Sequence, residues 1–142
     1  MENYTTKSEL ETKELAKKFA SNLSVGDIVV LSGDLGSGKT KFTEGLLSFW
    51  GLENEISSPT FTIVNEYSND KVNIYHFDVY RLSDVDEFYA IGGPEYFEKG
   101  ISIIEWGEMI EEILPENYIK INILKDDNLE NVRHFIIRRQ SC

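Results

Sequence analysis

From Ser8 the chain reads S-E-L-E, after which Leu15, Phe19 and Leu23 recur every four residues with Lys13, Lys17 and Lys18 on other faces. A capping box followed by that spacing predicts an amphipathic helix with one apolar stripe turned to a core. Val25-Gly26-Asp27 breaks the pattern as a turn, and Ile28-Val29-Val30-Leu31 follows with no polar position inside it. An unbroken apolar run this short predicts a strand covered on both faces, as buried parallel strands are. Helical spacing returns with Phe42, Leu46, Phe49 and Trp50, giving a second helix over Lys41 to Trp50 that Gly51 closes.

The remainder is richer in strands. Phe61 to Tyr67 and Val72 to Asp78, separated by Ser68-Asn69-Asp70, predict an antiparallel hairpin. Ile101 to Trp106 is a further apolar strand, Glu108 to Leu114 a short helix stopped by Pro115, and Tyr118 to Leu124 pairs with Val132 to Arg138 across the acidic turn Lys125 to Asn128. Without a repeat, linker or low-complexity stretch, residues 1–142 are expected to form one domain. Its class is α/β, a mixed parallel/antiparallel sheet flanked by helices.

Composition narrows the function. At 41% hydrophobic and 12% aromatic residues the 142-residue chain can build a core, which excludes disorder for most of its length. Fourteen basic against 25 acidic side chains give a formal charge of −11, which excludes a free-standing nucleic-acid binder, since displacing phosphate counterions needs a basic face. One cysteine, Cys142, allows no internal disulfide and no cysteine-based metal cluster, so a reducing compartment is expected. The start Met1-Glu-Asn-Tyr-Thr-Thr-Lys has no signal-peptide pattern and no apolar run nears the ~18 residues of a membrane span, so the expectation is a cytoplasmic protein without a membrane partner.

Gly33-Asp-Leu-Gly-Ser-Gly-Lys39-Thr40 fits G-x-x-x-x-G-K-[ST], the phosphate-binding loop. Gly33, Gly36 and Gly38 let the backbone wrap an anion with its N–H groups, and the next helix presents its positive end there. Lys39 reaches β- and γ-phosphates, and the Thr40 hydroxyl is placed to ligate Mg²⁺. The motif follows a buried strand and opens a helix; a glycine-rich turn with a solvent-exposed lysine does not account for that agreement.

Hydrolysis also needs an acid for the metal and a way to position water. Asp78 and Glu105 each follow an apolar run, where a strand ends beside the phosphate site of a doubly wound sheet. Either can be the Walker B acid, and Glu105 has the better case because Ile101-Ser-Ile-Ile104 is the more typical buried strand. The plain alternative for both is a strand-end carboxylate that caps a helix or pairs with Arg81. Ser57-Ser58-Pro59-Thr60 reads as a plain turn or as a loop whose hydroxyls sense a γ-phosphate. His76 reads as a structural, hydrogen-bonded histidine, and Trp106 as a core anchor or a surface beside nucleotide.

The set G-D-L-G-S-G-K-T (33–40), S-P-T-F-T (58–62), Y-H-F-D-V-Y-R (75–81) and I-E-W (104–106), in this order, resembles the TsaE (YjeE) family of P-loop ATPases of bacterial tRNA threonylcarbamoyladenosine synthesis. The resemblance covers essentially the whole chain. It implies a cytoplasmic ATPase, weak alone, that uses ATP and Mg²⁺ and acts with the TsaB and TsaD proteins in forming the threonylcarbamoyl group on adenosine 37 of tRNAs reading codons that begin with A. tRNA is then met only through the complex. The resemblance also implies a nucleotide-binding set of Thr12, Gly33, Leu35, Gly36, Ser37, Gly38, Lys39, Thr40 and Trp106, metal ligands Thr40 and Glu105, and catalytic polar residues Lys39, Thr60, Asp78 and Glu105. Ile91-Gly-Gly-Pro-Glu-Tyr-Phe97 departs from the acidic, leucine-containing stretch of relatives, which implies an altered loop. Two other classes fit the P-loop: a nucleotide-gated binding module without productive hydrolysis, and a small-molecule kinase, against which the lack of an arginine cluster for a lid counts.

Overall fold

A computed structural model describes residues 2–33, 38–55, 64–78, 85–105, 114 and 117–140. Seven strands, β1 (Glu2–Thr6), β2 (Ile28–Ser32), β3 (Val64–Ser68), β4 (Asn73–Asp78), β5 (Ile101–Glu105), β6 (Tyr118–Lys125) and β7 (Arg133–Gln140), form a single sheet in the order β1-β7-β6-β2-β5-β4-β3. The four adjacent strands β6, β2, β5 and β4 run parallel, while β3, β7 and β1 extend the sheet antiparallel at either side. The mixed α/β sheet and the β3–β4 hairpin expected from the pattern are both present. All four residues Ile28 to Leu31 are buried, as their position in the middle of the sheet requires.

Alternation along the strands divides the core into two layers. Val29, Leu31, Ile74, Ile103, Ile121 and Phe135 meet Ala16, Phe19, Phe42 and Leu46 of helices α1 (Glu9–Ala20) and α2 (Lys39–Ser48). On the other face Val30, Tyr75, Phe77 and Ile104 pack under Phe88 of α3 (Val85–Ala90) and under Phe97, just beyond α4 (Gly93–Tyr96). Ser102, fully buried on this second face, finds no hydrogen-bond partner for its hydroxyl among the described residues.

The N-cap forms as read, and the glutamate's return bond goes to the residue before the cap. Ser8 Oγ accepts from the Glu11 N–H at 3.1 Å, and Glu11 Oε1 in return accepts from the Lys7 N–H at 2.9 Å. Gly45 lets α1 and α2 touch along their length: a β-carbon there would stand 2.5 Å from the Lys13 carbonyl oxygen and 2.7 Å from Ala16 Cβ. Glu44 of α2 adds ion pairs to Lys13 at 3.2 Å and Lys41 at 3.5 Å, each exposed enough to contribute little next to the buried contact.

Several elements differ from the sequence reading, α3 among them, which the pattern did not predict. The second helix starts at Lys39 instead of Lys41, so its first turn includes the end of the glycine motif. Glu2–Thr6 is an edge strand on β7, which its polar sequence did not signal. The Gly92-Gly93-Pro94 departure, expected as a loop, opens the one-turn helix α4, with Gly92 as its N-cap at φ 76° and the proline in its first turn. The helix expected over residues 108–114 lies outside the described residues, apart from Leu114. No helix among the described residues is long and apolar enough to cross a membrane.

Candidate phosphate and metal site

Parallel pairing brings the ends of three strands to one edge. Leu31 of β2 and Asp78 of β4 both stand in register with Glu105 of β5, so Glu105 occupies the middle of the crevice at the carboxyl ends of the strands. In open α/β sheets this is where ligands bind. The glycine motif leaves β2 at the same edge and enters α2.

Gly38 is the N-cap of α2 at φ 109°, a left-handed conformation that a residue with a β-carbon rarely adopts. It offers no side chain to cap the helix, and the first turn of α2 carries no acid, whereas the first turn of α1 has Glu9, Glu11 and the Ser8 cap. Among the described residues the positive end of α2 has no side-chain cap, whereas that of α1 is satisfied by its own chain. Lys39 is only 7% exposed, and its amine donates to the Gly33 carbonyl at 2.8 Å. A buried, directed lysine is not the solvent-exposed lysine of an ordinary glycine turn. Thr40, next along the helix, is exposed.

Arg133, at the start of β7, reaches the same corner. Its Nε and Cγ lie 3.8 and 3.9 Å from where a β-carbon on Gly38 would stand, and one guanidinium nitrogen donates to the carbonyls of Glu130 at 2.6 Å and Val132 at 3.0 Å. A cation held by its own turn therefore adds fixed positive charge beside the N-terminus of α2. Local sequence gave no signal for it, because β7 reaches the loop only through sheet order.

Glu105 is 16% exposed and its Oε2 lies 2.7 Å from His76 Nε2. Burial works to raise its pKa. The hydrogen bond from His76, the charge of that ring and the charge of Lys39 outweigh burial and hold the carboxyl below its ordinary range. Tyr67 of β3 completes the wall: it is 6% exposed, its ring centroid is 6.3 Å from that of His76, and burial first, then the Glu105 charge, pushes its phenol up. The carboxylate pairs with His76, and His76, read from sequence as a structural, hydrogen-bonded histidine, is attached to the site; Arg81, the other partner read from sequence, lies outside the described residues.

Gly33, Gly38, Lys39, Thr40 and Glu105 are brought to this edge. Asp78 contributes a main-chain position directly beside Glu105. Thr12 lies in α1, buried at 3%, with its hydroxyl 2.7 Å from that of Thr6. Leu35, Gly36, Ser37, Thr60 and Trp106 fall outside the described residues. No group of three or more His, Cys, Asp or Glu side chains that could hold a metal occurs among the described residues. The donors that are present, a threonine hydroxyl and an ionised carboxylate, are hard oxygens of the kind Mg²⁺ takes when phosphates and water fill its other positions.

The family model described as "Threonylcarbamoyl adenosine biosynthesis protein TsaE" matches residues 6–135. The chain belongs to the TsaE family. A TsaE protein of Rickettsia prowazekii is 42% identical over 126 residues, covering 88% of this chain and 88% of its own. One of Bacillus subtilis is 43% identical over 123 residues, covering 84% of this chain and 77% of its own. The crystal structure of Bacillus subtilis YdiB superposes with a TM-score of 0.74 at 32% identity, covering 99% of this chain and 86% of that one. The likeness to that structure is one of fold, a P-loop fold, and membership of the TsaE family implies a nucleotide-binding protein.

Proposed function

We propose that this TsaE member binds and hydrolyses ATP in the cytoplasm, as one P-loop domain over residues 1–142, in support of tRNA threonylcarbamoyladenosine biosynthesis by a TsaB–TsaD complex. The pathway is that of its family. The observation that carries the ATPase reading is the placement, at one sheet edge, of a buried lysine at the glycine loop and a carboxylate that, against burial, the hydrogen bond and charge of His76 and the charge of Lys39 hold below its ordinary pKa.

In this reading residues 33–40 wrap the phosphates, and Lys39 exchanges its hold on the Gly33 carbonyl for the β/γ-phosphate oxygens. Thr40 and Glu105 hold Mg²⁺, which supplies charge neutralisation on the phosphates when bound. Asp78 and Thr60 orient polar groups about the terminal phosphate, Trp106 borders the site, and Thr12, fixed by Thr6, lies on the nucleoside side. tRNA is met through the partner complex.

Steady-state phosphate release with and without added TsaB and TsaD tests the reading. The expected result is slow release by the chain alone and a marked increase with the partners. Nucleotide binding with no release in either case would leave a nucleotide-gated module, and release of ADP that depends on a small acceptor would indicate a kinase.

A further inference from the structure

Beyond the assignment of Glu105 to the metal, on which this inference rests, we propose that His76 is a positioning residue that fixes the Glu105 carboxylate so that its other oxygen is presented to the cation. His76 stands on β4 opposite Ile103, one turn of the pleat before the Asp78–Glu105 pair, so its ring reaches forward along the sheet to Glu105. The contact is made by Nε2 to Oε2 at 2.7 Å, and among the described residues no hydrogen bond occupies Oε1. An ionised carboxylate only accepts, so the ring donates from Nε2 in whichever charge state it has. Both side chains are about five-sixths buried, at 15% and 16% exposure, and the Tyr67 ring backs the imidazole from the edge strand.

The imidazole thus lies between the carboxylate, at 2.7 Å, and the buried Tyr67 ring, with centroids 6.3 Å apart. Rotation of Glu105 about its terminal torsion would break the bond. A carboxylate held through one oxygen is pre-oriented for monodentate ligation by the other, and partners of this kind are worth roughly 10- to 100-fold in metal affinity.

The experiment uses the full chain saturated with a fluorescent ADP analogue and reads the Mg²⁺ concentration that half-saturates the metal-dependent change, with analogue affinity in EDTA as the second readout. His76→Gln keeps a donor near the position of Nε2 at similar size, while His76→Asn keeps polarity but is one methylene shorter and falls short of Glu105. The expected result is a rise of about tenfold or more in half-saturating Mg²⁺ for His76→Asn, recovered at least in part by His76→Gln, with affinity in EDTA unchanged for both. Equal rises for the two variants would reduce His76 to a packing residue and overturn the proposal. So would wild-type Mg²⁺ dependence in His76→Asn while Glu105→Gln shifts it, an outcome that leaves the ATPase reading intact. If Glu105→Gln also left Mg²⁺ dependence unchanged, the metal assignment itself would fall.

Discussion

The amine of Lys39 lies 2.8 Å from the carbonyl oxygen of Gly33, so the first turn of α2 is tied to the end of β2 across the glycine loop. A lysine amine held with so little exposure has lost its freedom before any phosphate arrives, which lowers the entropic cost of engaging one.

Replacing it tests the phosphate site directly. Lys39→Ala removes the lysine aimed at the β/γ-phosphates and is expected to abolish most ATP use, since positioning and charge stabilisation make up nearly all of phosphoryl-transfer catalysis. Equilibrium binding and phosphate release measured side by side check this. Wild-type values for both would remove the P-loop assignment.

Glu105 and Asp78 are neighbours in register, and substitution separates their roles. Glu105→Gln keeps the shape and loses the charge, so nucleotide binding should persist while hydrolysis falls at least ~10-fold, the change expected when roughly 1.4 kcal/mol of transition-state stabilisation is lost. Thr40→Ala should damage Mg²⁺-dependent turnover more than phosphate binding, and Asp78→Asn should slow turnover. A silent Glu105→Gln beside a damaging Asp78→Asn in single-turnover assays would exchange the metal role between the two acids.

Much of this was legible in the sequence because it is local. The unbroken run Ile28 to Leu31 reports a strand buried on both faces, and the motif that follows it fixes where the loop and helix must be. What was not legible depends on pairing. Glu2-Asn-Tyr-Thr-Thr6 is polar and mostly exposed, and it is a strand only because β7 offers an unpaired edge. Val85–Ala90 buries a single side chain, Phe88, too few for a helical period to show. His76 sits in a visible alternation, but which carboxylate it meets is set by the register of β4 against β5, and Arg133 meets Gly38 only because the sheet order carries β7 to that side.

A second histidine pair sets a pH response away from the site. Asp126 Oδ1 lies 2.8 Å from His134 Nε2, its other oxygen accepts from the N–H groups of Asn128 and Leu129 at 2.9 Å, and the far nitrogen of His134 lies 3.1 Å from Thr5 Oγ1 of β1. The His134 bond first, then the two backbone N–H bonds, hold the Asp126 carboxyl below its ordinary value of 3.8 against a small opposing effect of burial. A depressed folded-state pKa means that the stabilisation is fully present above the unfolded value and is lost as pH falls through the folded one. Asp126→Asn should therefore lower the melting temperature near neutral pH, and the gap to the unsubstituted chain should narrow below the unfolded value and close as pH falls through the folded one. Melting curves across that range check it; a gap that is independent of pH would mean the carboxylate's charge is not what holds the turn.

The last expectation concerns partners and follows from charge. A formal charge of −11 on 142 residues repels tRNA, yet the family belongs to a tRNA modification pathway, and both hold only if another protein carries the RNA. The isolated chain is therefore expected to show no measurable tRNA binding at physiological salt, and ATP-dependent binding to a TsaB–TsaD complex. The contact is expected around the phosphate site, with Thr60, which lies outside the described residues, and the 91–97 segment as the positions to test. In that segment Phe97 is buried against Phe77 and Phe88, so substitutions there should be confined to the surface positions, Glu95 first, to keep the second core layer intact. Electrophoretic mobility shift with tRNA and pull-down with the complex, each with and without ATP, give the two readouts. Tight, salt-sensitive tRNA binding by this chain alone would overturn the charge argument, and partner binding indifferent to nucleotide would overturn the claim that the phosphate site is read by the partner.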